Sequence, residues 1–406
     1  MEKIAVIGTG RIGLPLALVL AEAGFYVFGV DVNKDLIQKL EKKEMPFMEN
    51  GAEELLKKHL GKRFFPTSDF NVIKDADSVI LTLGTPVDEH FSPDYSQIES
   101  IKPILSHNLK KDQLLILRST VSPGTTEFMK DFLEKETGLV CGKDFFMAYC
   151  PERIAEGKAL EEIKEVPQII GGITSECSIK AKELFSKITG KCLISDAKSA
   201  ELAKIFSNMY RYINFAIANE FAILSMEHNR NIYEIIELVN RDYKRGGLSK
   251  PGFSAGPCLY KDGFFLLDTM PFDELISVSW KINENLPVYL VKKIRDMLDI
   301  RGKKVAILGM AFKKNIDDIR NSLSFKLKKA FLRAGSEVCL HDPFVPEYST
   351  DLGKAIKDSD IVVIAMNHDI YSHLKKEDIR KMSGKEVIIC DIWNVTGNKE
   401  IISRIK

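Results

Sequence analysis

The feature that most constrains this chain is a strand, a glycine turn and a helix at its N-terminal end. Lys3-Ile4-Ala5-Val6-Ile7 is a short apolar run that meets Gly8-Thr9-Gly10-Arg11-Ile12-Gly13 and then passes into a helical pattern. Gly8 allows the tight reversal, Gly10 lets the backbone approach a pyrophosphate, and Gly13 lets helix and strand pack closely. The helix N-terminus, entered through Arg11 and Ile12, is aimed at negative charge. A second strand, Tyr26-Val27-Phe28-Gly29-Val30, ends at Asp31, eighteen residues past Gly13. That is near the spacing of about 20 expected of an acid accepting from the adenine ribose hydroxyls, and a carboxylate there repels the extra phosphate of NADP. The segment predicts an NAD site built from Gly8, Gly10, Arg11, Ile12, Gly13 and Asp31. The plainer reading is a glycine-rich turn in another doubly wound domain.

The pattern has an internal echo. Lys304-Val305-Ala306-Ile307-Leu308-Gly309 repeats the first strand and its turn, and in both halves a glycine starts a strand that closes on an aspartate, Gly24 to Asp31 and Gly335 to Asp342. In both, an aspartate then opens an apolar strand, at Asp77 and at Asp360. The later copy has Gly309-Met310-Ala311-Phe312-Lys313 in place of three glycines, so its expected ligand is not a dinucleotide. Between the copies, residues 198–229 are rich in Ala, Leu, Ile and Met and too long for an ordinary connection, which predicts a linking helix. The expected architecture is α/β, two Rossmann-like domains joined by a long central helix. The expected boundaries are 1–195 for NAD binding, 196–298 for the helical linker and dimerisation region, and 299–406 for the second Rossmann-like domain.

Charge and cysteine usage exclude several classes of function. In 406 residues, 58 basic side chains stand against 57 acidic ones, and the basic residues are spread rather than gathered into runs. That argues against a nucleic-acid or membrane surface and for a small-molecule partner. The most apolar helix, around 214–226, is interrupted by Asn219 and Glu220, well short of the roughly 20 apolar residues that span a bilayer. With no signal peptide before the first strand, the expected location is the cytoplasm. Seven cysteines, at 141, 150, 177, 192, 258, 339 and 390, include no C-x-x-C pair, so neither a metal site nor a disulfide framework is expected. Six of them read most simply as buried hydrophobes.

Cys258 is different, because it sits in the loop Pro251-Gly252-Phe253-Ser254-Ala255-Gly256-Pro257-Cys258-Leu259-Tyr260-Lys261-Asp262. A hydride acceptor alone turns an alcohol into an aldehyde. A thiolate that traps the aldehyde permits a second hydride transfer to a thioester, which water opens to a carboxylate. On the linking helix, Lys204, Asn208 and Arg211 fall at i, i+4 and i+7 and share one face, either as a solvated stripe or as part of a site.

At these residues the chain resembles the UDP-glucose/GDP-mannose dehydrogenase family, the nucleotide-sugar 6-dehydrogenases, over essentially its whole length. Ser119-Thr120-Val121-Ser122-Pro123-Gly124-Thr125-Thr126 is similar to the family's Thr loop, and Cys150-Pro151-Glu152-Arg153-Ile154-Ala155-Glu156 to its Pro-Glu segment. Glu201-Leu202-Ala203-Lys204 through Asn208 resembles the catalytic helix, with Asn219-Glu220 following; Cys258 to Asp262 resembles the nucleophile loop. Gly309 to Lys313 and Asp317-Asp318-Ile319-Arg320-Asn321-Ser322 resemble the segment that holds the substrate nucleotide.

The resemblance implies that Cys258 is the nucleophile, that Lys204 and Asn208 stabilise an oxyanion, and that Asp262 and Thr120 position or activate water, with Glu152 as the acid/base candidate. A cation and an amide aimed at developing negative charge are each worth on the order of 3 kcal/mol in a dry site. Lys204 beside the sulfur would also favour a thiolate over a thiol whose reference pKa lies near ~8.5. Thr85, Thr120 and Glu156 are implied on the cofactor side. Glu152, Lys204, Asn208, Phe253 and Gly256 are implied around the sugar, and Lys313 and Arg320 at the diphosphate or base. Arg241 and Arg245 are implied near the sugar, where an arginine of this family can reach a neighbouring subunit; a homodimer or higher homo-oligomer through the central helix follows. For Glu152 and Glu156 the alternative is a solvated helix turn, and for Lys313 and Arg320 ordinary surface cations.

Substrate choice leans toward the N-acetylhexosamine branch. The segment Gly84-Thr85-Pro86-Val87-Asp88-Glu89-His90-Phe91-Ser92-Pro93-Asp94 and the pair Asn240-Arg241 resemble that branch, which makes UDP-N-acetyl-D-mannosamine the expected UDP-sugar. Lys261-Asp262 is closer to the UDP-glucose version, so UDP-glucose and UDP-N-acetylglucosamine stay open. The usual glycine pair before the nucleophile is Gly256-Pro257, and Leu323 stands where the family has Pro. Two rivals remain: a hydroxyacid dehydrogenase of the 6-phosphogluconate type, which needs neither Cys258 nor the second α/β unit, and a catalytically silent nucleotide-sugar sensor.

Overall fold

The computed structural model describes residues 2–405 and divides the chain into two compact units. One is built from the chain up to Ser207 together with Phe264–Thr269; the other from Asn208–Gly263 together with the chain from Met270 onward. In the first unit, the described strands form one sheet in the order β3 (Phe64–Thr67), β2 (Tyr26–Val30), β1 (Lys3–Ile7), β4 (Ser78–Leu81), β5 (Leu114–Leu117), β6 (Phe146–Tyr149), β7 (Gln168–Gly172) and β8 (Cys192–Asp196). The pairs from β3 to β6 are parallel, and β7 turns antiparallel to β6. Ile4 lies opposite Val27 on one side and Ser78 on the other. Strand order reverses direction between β1 and β4, and ligands bind in the crevice that such a switch point opens. The helix Gly13–Glu22 is apolar all round because it is buried over Gly13 to Ala21, covered by the helices Ala52–His59 and Ala159–Glu165.

The second unit carries the sheet β10 (Glu337–His341), β9 (Lys304–Leu308), β11 (Ile361–Ile364), β12 (Val387–Asp391) and β13 (Ile402–Ile405), parallel except for β13 at the edge. The echo read from the sequence is a geometric repeat. Gly8 donates to the Val30 carbonyl at 2.8 Å, and Gly309 to the His341 carbonyl at 2.7 Å. Gly8 has φ +92° and Gly309 φ +94°, a region that favours glycine. The backbone amide of Lys3 donates to Asp77 at 2.9 Å, and that of Lys304 to Asp360 at 3.0 Å.

The helix expected over 198–229 runs over Ala197–Glu227. Asp196 starts it, its Oδ1 accepting from the Ser199 amide at 2.8 Å. Asn229 ends it at φ +52°, with the Arg230 amide folding back to the Ser225 carbonyl at 2.8 Å. The division into compact units falls inside this helix, between Ser207 and Asn208. A helix propagates through its own hydrogen bonds whichever neighbours each half meets, so its continuity carries no mark of such a boundary.

Candidate active site

The first glycine turn has the shape a dinucleotide phosphate needs. A Cβ at Gly13 would overlap the Gly8 carbonyl oxygen, whereas nothing lies within 4 Å of where one would sit at Gly10. Gly13 is thus closed against strand β1 and Gly10 faces open space. Asp31 closes β2, and its Oδ2 accepts from the Thr9 amide at 2.8 Å and the Thr9 hydroxyl at 3.3 Å, while Oδ1 accepts from the Asn33 amide at 2.9 Å. The same carboxylate expected to meet a ribose therefore also holds the turn. In the second turn Asp342, fully buried, takes both the Met310 amide at 2.6 Å and the Ala311 amide at 2.9 Å, with His368 Nε2 at 3.1 Å. Asp342 thus takes two successive amides of its turn, whereas Asp31 takes only the Thr9 amide of the first. Asp31→Ala should weaken NAD binding about ten- to a hundredfold, the range for a lost charged hydrogen bond; calorimetric titration showing an unchanged Kd would remove the ribose role.

Around this turn, Arg11 lies 3.7 Å from Glu156 Oε2, and its guanidinium stands 5.0 Å from the Phe47 ring centroid. Glu49 accepts from the Gly157 and Ala159 amides, both at 2.8 Å, and so fixes the segment carrying Glu156. Thr85 donates its hydroxyl to the Thr120 carbonyl at 2.7 Å. Tyr95 and Ser122 bond through their hydroxyls at 2.7 Å, and the Ser122 amide donates to the same Tyr95 oxygen. Glu152 is buried with donors on both oxygens: Oε1 accepts from the amides of Arg153 and Ile154 at 2.7 and 2.9 Å, and Oε2 from Arg118 Nε at 2.9 Å and from Arg118 Nη2. It is arranged to accept rather than to donate. Arg118, itself buried, is also spent on the Cys150 carbonyl and Gln168. Lys204 is half-buried on the same unit.

In the second unit, Cys258 is exposed at the head of the short helix Leu259–Asp262, and its carbonyl accepts from the amides of Lys261 and Asp262 at 3.1 Å. Asp262 is 1% exposed, with Oδ2 accepting from Asn208 Nδ2 at 2.6 Å and Oδ1 3.2 Å from Lys261 Nζ. The structure thus brings together Cys258, Asp262 and Asn208, residues the sequence had linked only by resemblance. Arg211, third in the polar stripe, is exposed.

The loop before Cys258 is held at both glycines. Asn219, fully buried, brackets Gly252 by donating to its carbonyl at 3.0 Å and accepting from its amide at 2.9 Å, and also donates to Asn283 Oδ1 at 2.9 Å. A Cβ at Gly252 would overlap the Trp393 ring, and one at Gly256, where φ is +98°, the Phe312 ring. Asn219, Asn283, Phe312 and Trp393 are thus positioning groups that sequence reading missed. Asn219 was visible as an interruption in an apolar run and, with Glu220, as part of the family resemblance, but not as a bracket on Gly252. Phe253 is 3% exposed and part of the hydrophobic core, so its side chain anchors the loop.

The remaining candidates are already engaged. Arg320 forks onto Asp318, with Nε at 3.0 and 2.9 Å and Nη2 at 2.6 Å. Lys313 is half-buried. Arg241 and Arg245 are exposed, the first paired with Glu237 and the second 5.3 Å from the Tyr243 ring centroid. Of the six cysteines expected to be buried, Cys141, Cys150, Cys177 and Cys390 are, while Cys192 and Cys339 are partly exposed. Among the described residues, no group of three or more His, Cys, Asp or Glu is placed to hold a metal ion, and no helix is long and apolar enough to cross a membrane.

Comparison with known proteins covers both units. Residues 2–189 match the NAD binding domain of the UDP-glucose/GDP-mannose dehydrogenase family, residues 198–284 its central domain and residues 306–398 its UDP binding domain. The UDP-N-acetyl-D-mannosamine dehydrogenase of Methanocaldococcus jannaschii is 34% identical, over 98% of this chain and 94% of its own. Among solved structures, a UDP-N-acetyl-D-mannosamine dehydrogenase from Pyrococcus horikoshii superposes with a TM-score of 0.90 at 32% identity, covering 97% of this chain and 96% of that one. An NDP-N-acetyl-D-galactosaminuronic acid dehydrogenase from Methanosarcina mazei has the same 32% identity with a TM-score of 0.79, over 97% and 92%.

Proposed function

The chain belongs to the UDP-glucose/GDP-mannose dehydrogenase family and is an NAD-dependent UDP-sugar dehydrogenase, and from that premise we propose that it oxidises the primary alcohol of UDP-N-acetyl-D-mannosamine to the uronic acid through Cys258. When bound, NAD supplies the hydride acceptor, once for each two-electron step. The protein's own residues do the rest. Glu152 accepts the alcohol proton in the first step as the substrate hydroxyl displaces one of its four donors, and Lys204 and Asn208 stabilise the oxygen as negative charge develops. Cys258 adds through sulfur to the aldehyde carbon while a proton goes to the carbonyl oxygen; loss of a second hydride to the nicotinamide acceptor, and of that hydroxyl proton to solvent, leaves a thioester. Water, positioned by Asp262 and Thr120, adds to the thioester carbonyl, and the carbon–sulfur bond breaks to give the carboxylate and return the thiol.

The observation that carries this reading is the exposed Cys258 sulfur one turn from a buried Asp262 that is already bonded to Asn208. A hydroxyacid dehydrogenase has no use for that arrangement, and a silent sensor has no reason to keep it. The N-acetylmannosamine assignment is supported by the 84–94 segment, by Asn240-Arg241, and by the names of the relatives. It is tested by supplying NAD with UDP-N-acetylmannosamine, UDP-N-acetylglucosamine, UDP-N-acetylgalactosamine and UDP-glucose and comparing kcat/KM. A higher value for any of the last three overturns the substrate assignment alone.

We further propose a homodimer or higher homo-oligomer through the helix Ala197–Glu227. Tyr210, Ile217, Phe221 and Leu224 on that helix are 72%, 41%, 38% and 49% exposed and spaced to form one stripe. Water-exposed apolar surface of this kind marks an interface. In light scattering the wild type should give at least twice the 45.8 kDa of the chain, and Phe221→Glu should give the chain mass; a monomeric wild type contradicts the assignment.

A further inference from the structure

We infer that Glu201 is a positioning residue for the oxidation, a remote cap that locks the Thr120 loop to the helix carrying Lys204. It rests on the proposed function only in the roles given to those two residues. Glu201 precedes Lys204 by three residues on the helix Ala197–Glu227 and is fully buried. Its Oε2 accepts from the Gly124 amide at 2.6 Å, and its Oε1 accepts from the Thr126 amide at 2.9 Å and the Thr126 hydroxyl at 2.6 Å. All of these groups belong to the first unit.

The expense of the arrangement is what gives it meaning. A carboxylate taken out of water is unfavourable unless hydrogen bonds replace the solvent. Burial raises the pKa of Glu201, even against the Thr126 and Gly124 hydrogen bonds that lower it. The helix Thr125–Thr137 begins at Gly124, whose φ of +94° suits glycine and which has no side chain to offer as a cap. A serine or aspartate cap would satisfy those amides locally, without a charge from a distant element. A local cap, however, fixes only its own helix. A cap delivered from the helix Ala197–Glu227 also fixes where the loop stands relative to Lys204. Thr85 on the Thr120 carbonyl and Tyr95 on Ser122 hold the other end of the same loop. The loop is therefore tied at Thr120, at Ser122 and at Gly124 with Thr126, and the Lys204 helix supplies the last of these through buried Glu201; Lys198 on the same helix adds only a solvent-exposed ion pair to Glu127, at 3.1 Å.

The test uses the full-length enzyme and the variants Glu201→Gln, Glu201→Asp and Thr126→Val. A glutamine presents an NH2 where the Gly124 or Thr126 donors need an acceptor, so it breaks the clamp at constant volume. Glu201→Gln should lower kcat about tenfold or more while the KM for UDP-sugar and for NAD stays within about twofold, because misplaced groups lose rate before they lose binding. Glu201→Asp should recover most of that loss, and Thr126→Val should give a smaller loss that is not additive with Glu201→Gln. An unchanged kcat in Glu201→Gln overturns the inference, and so does a loss matched by loss of folded enzyme on thermal melting. Should wild type give no NADH with any UDP-sugar, the proposed function fails separately. The clamp is then judged by amide exchange over residues 119–126: faster exchange in Glu201→Gln upholds it and unchanged exchange overturns it.

Discussion

Replacing Cys258 with serine is expected to abolish formation of the acid, with turnover to uronate falling by at least about a thousandfold, while NAD affinity stays within about twofold of wild type. The two halves of that expectation come from different parts of the molecule. Sulfur is needed because a serine hydroxyl, protonated at neutral pH, neither traps the aldehyde well nor leaves readily from an ester. The cofactor turn at Gly8, Gly10 and Gly13 lies in the other compact unit, so the change leaves its geometry untouched. The side chain at 258 is exposed, and Asp262 keeps its bond to Asn208, so a folding defect is not expected. Intact-mass measurement during turnover adds a direct readout, since wild type should carry a sugar adduct on Cys258 and the serine variant none. A serine variant with unchanged turnover would remove the thioester route altogether.

The second large effect is expected at Lys204. Lys204→Met keeps most of the side chain's length and removes its charge; kcat should fall about a hundred- to a thousandfold, the cost of deleting one preorganised donor to a developing oxyanion. Because the interaction strengthens only as charge builds, the KM for UDP-sugar should move much less than kcat. Asn208 cannot fully substitute, since it is uncharged and one of its two Nδ2 hydrogens is taken by Asp262 at 2.6 Å. Steady-state kinetics decide the matter: a kcat within about threefold of wild type would show that Lys204 does not face the reacting oxygen.

Where function depends on neighbours in sequence, the sequence was legible. The glycine turn could be read because Gly8, Gly10 and Gly13 answer to local sterics, and the strand-closing aspartates Asp31 and Asp342 appeared at matching places because the turn after β1 and the turn after β9 each need a partner for their amides. Less visible was that Asp342 would take two successive amides of its turn. Where function depends on contacts between distant residues, the chain was opaque. Arg118 meets Glu152 across 34 residues, Glu201 meets Thr126 across 75, and Asn219 meets Asn283 across 64. A single polar residue in an apolar run looks the same whether it is a defect or a bracket around Gly252. Arg320 shows a third case: its partner Asp318 was two residues away and plainly visible, but only the structure shows the fork closed on it.

The central claim is that a single protein oxidises its substrate twice, through sulfur. The most direct measurement is the count of NADH formed per UDP-sugar consumed, followed to completion with purified enzyme and limiting sugar. The account predicts two NADH per sugar, with uronate as the product and no aldehyde accumulating. One NADH per sugar, with the aldehyde released, would contradict it.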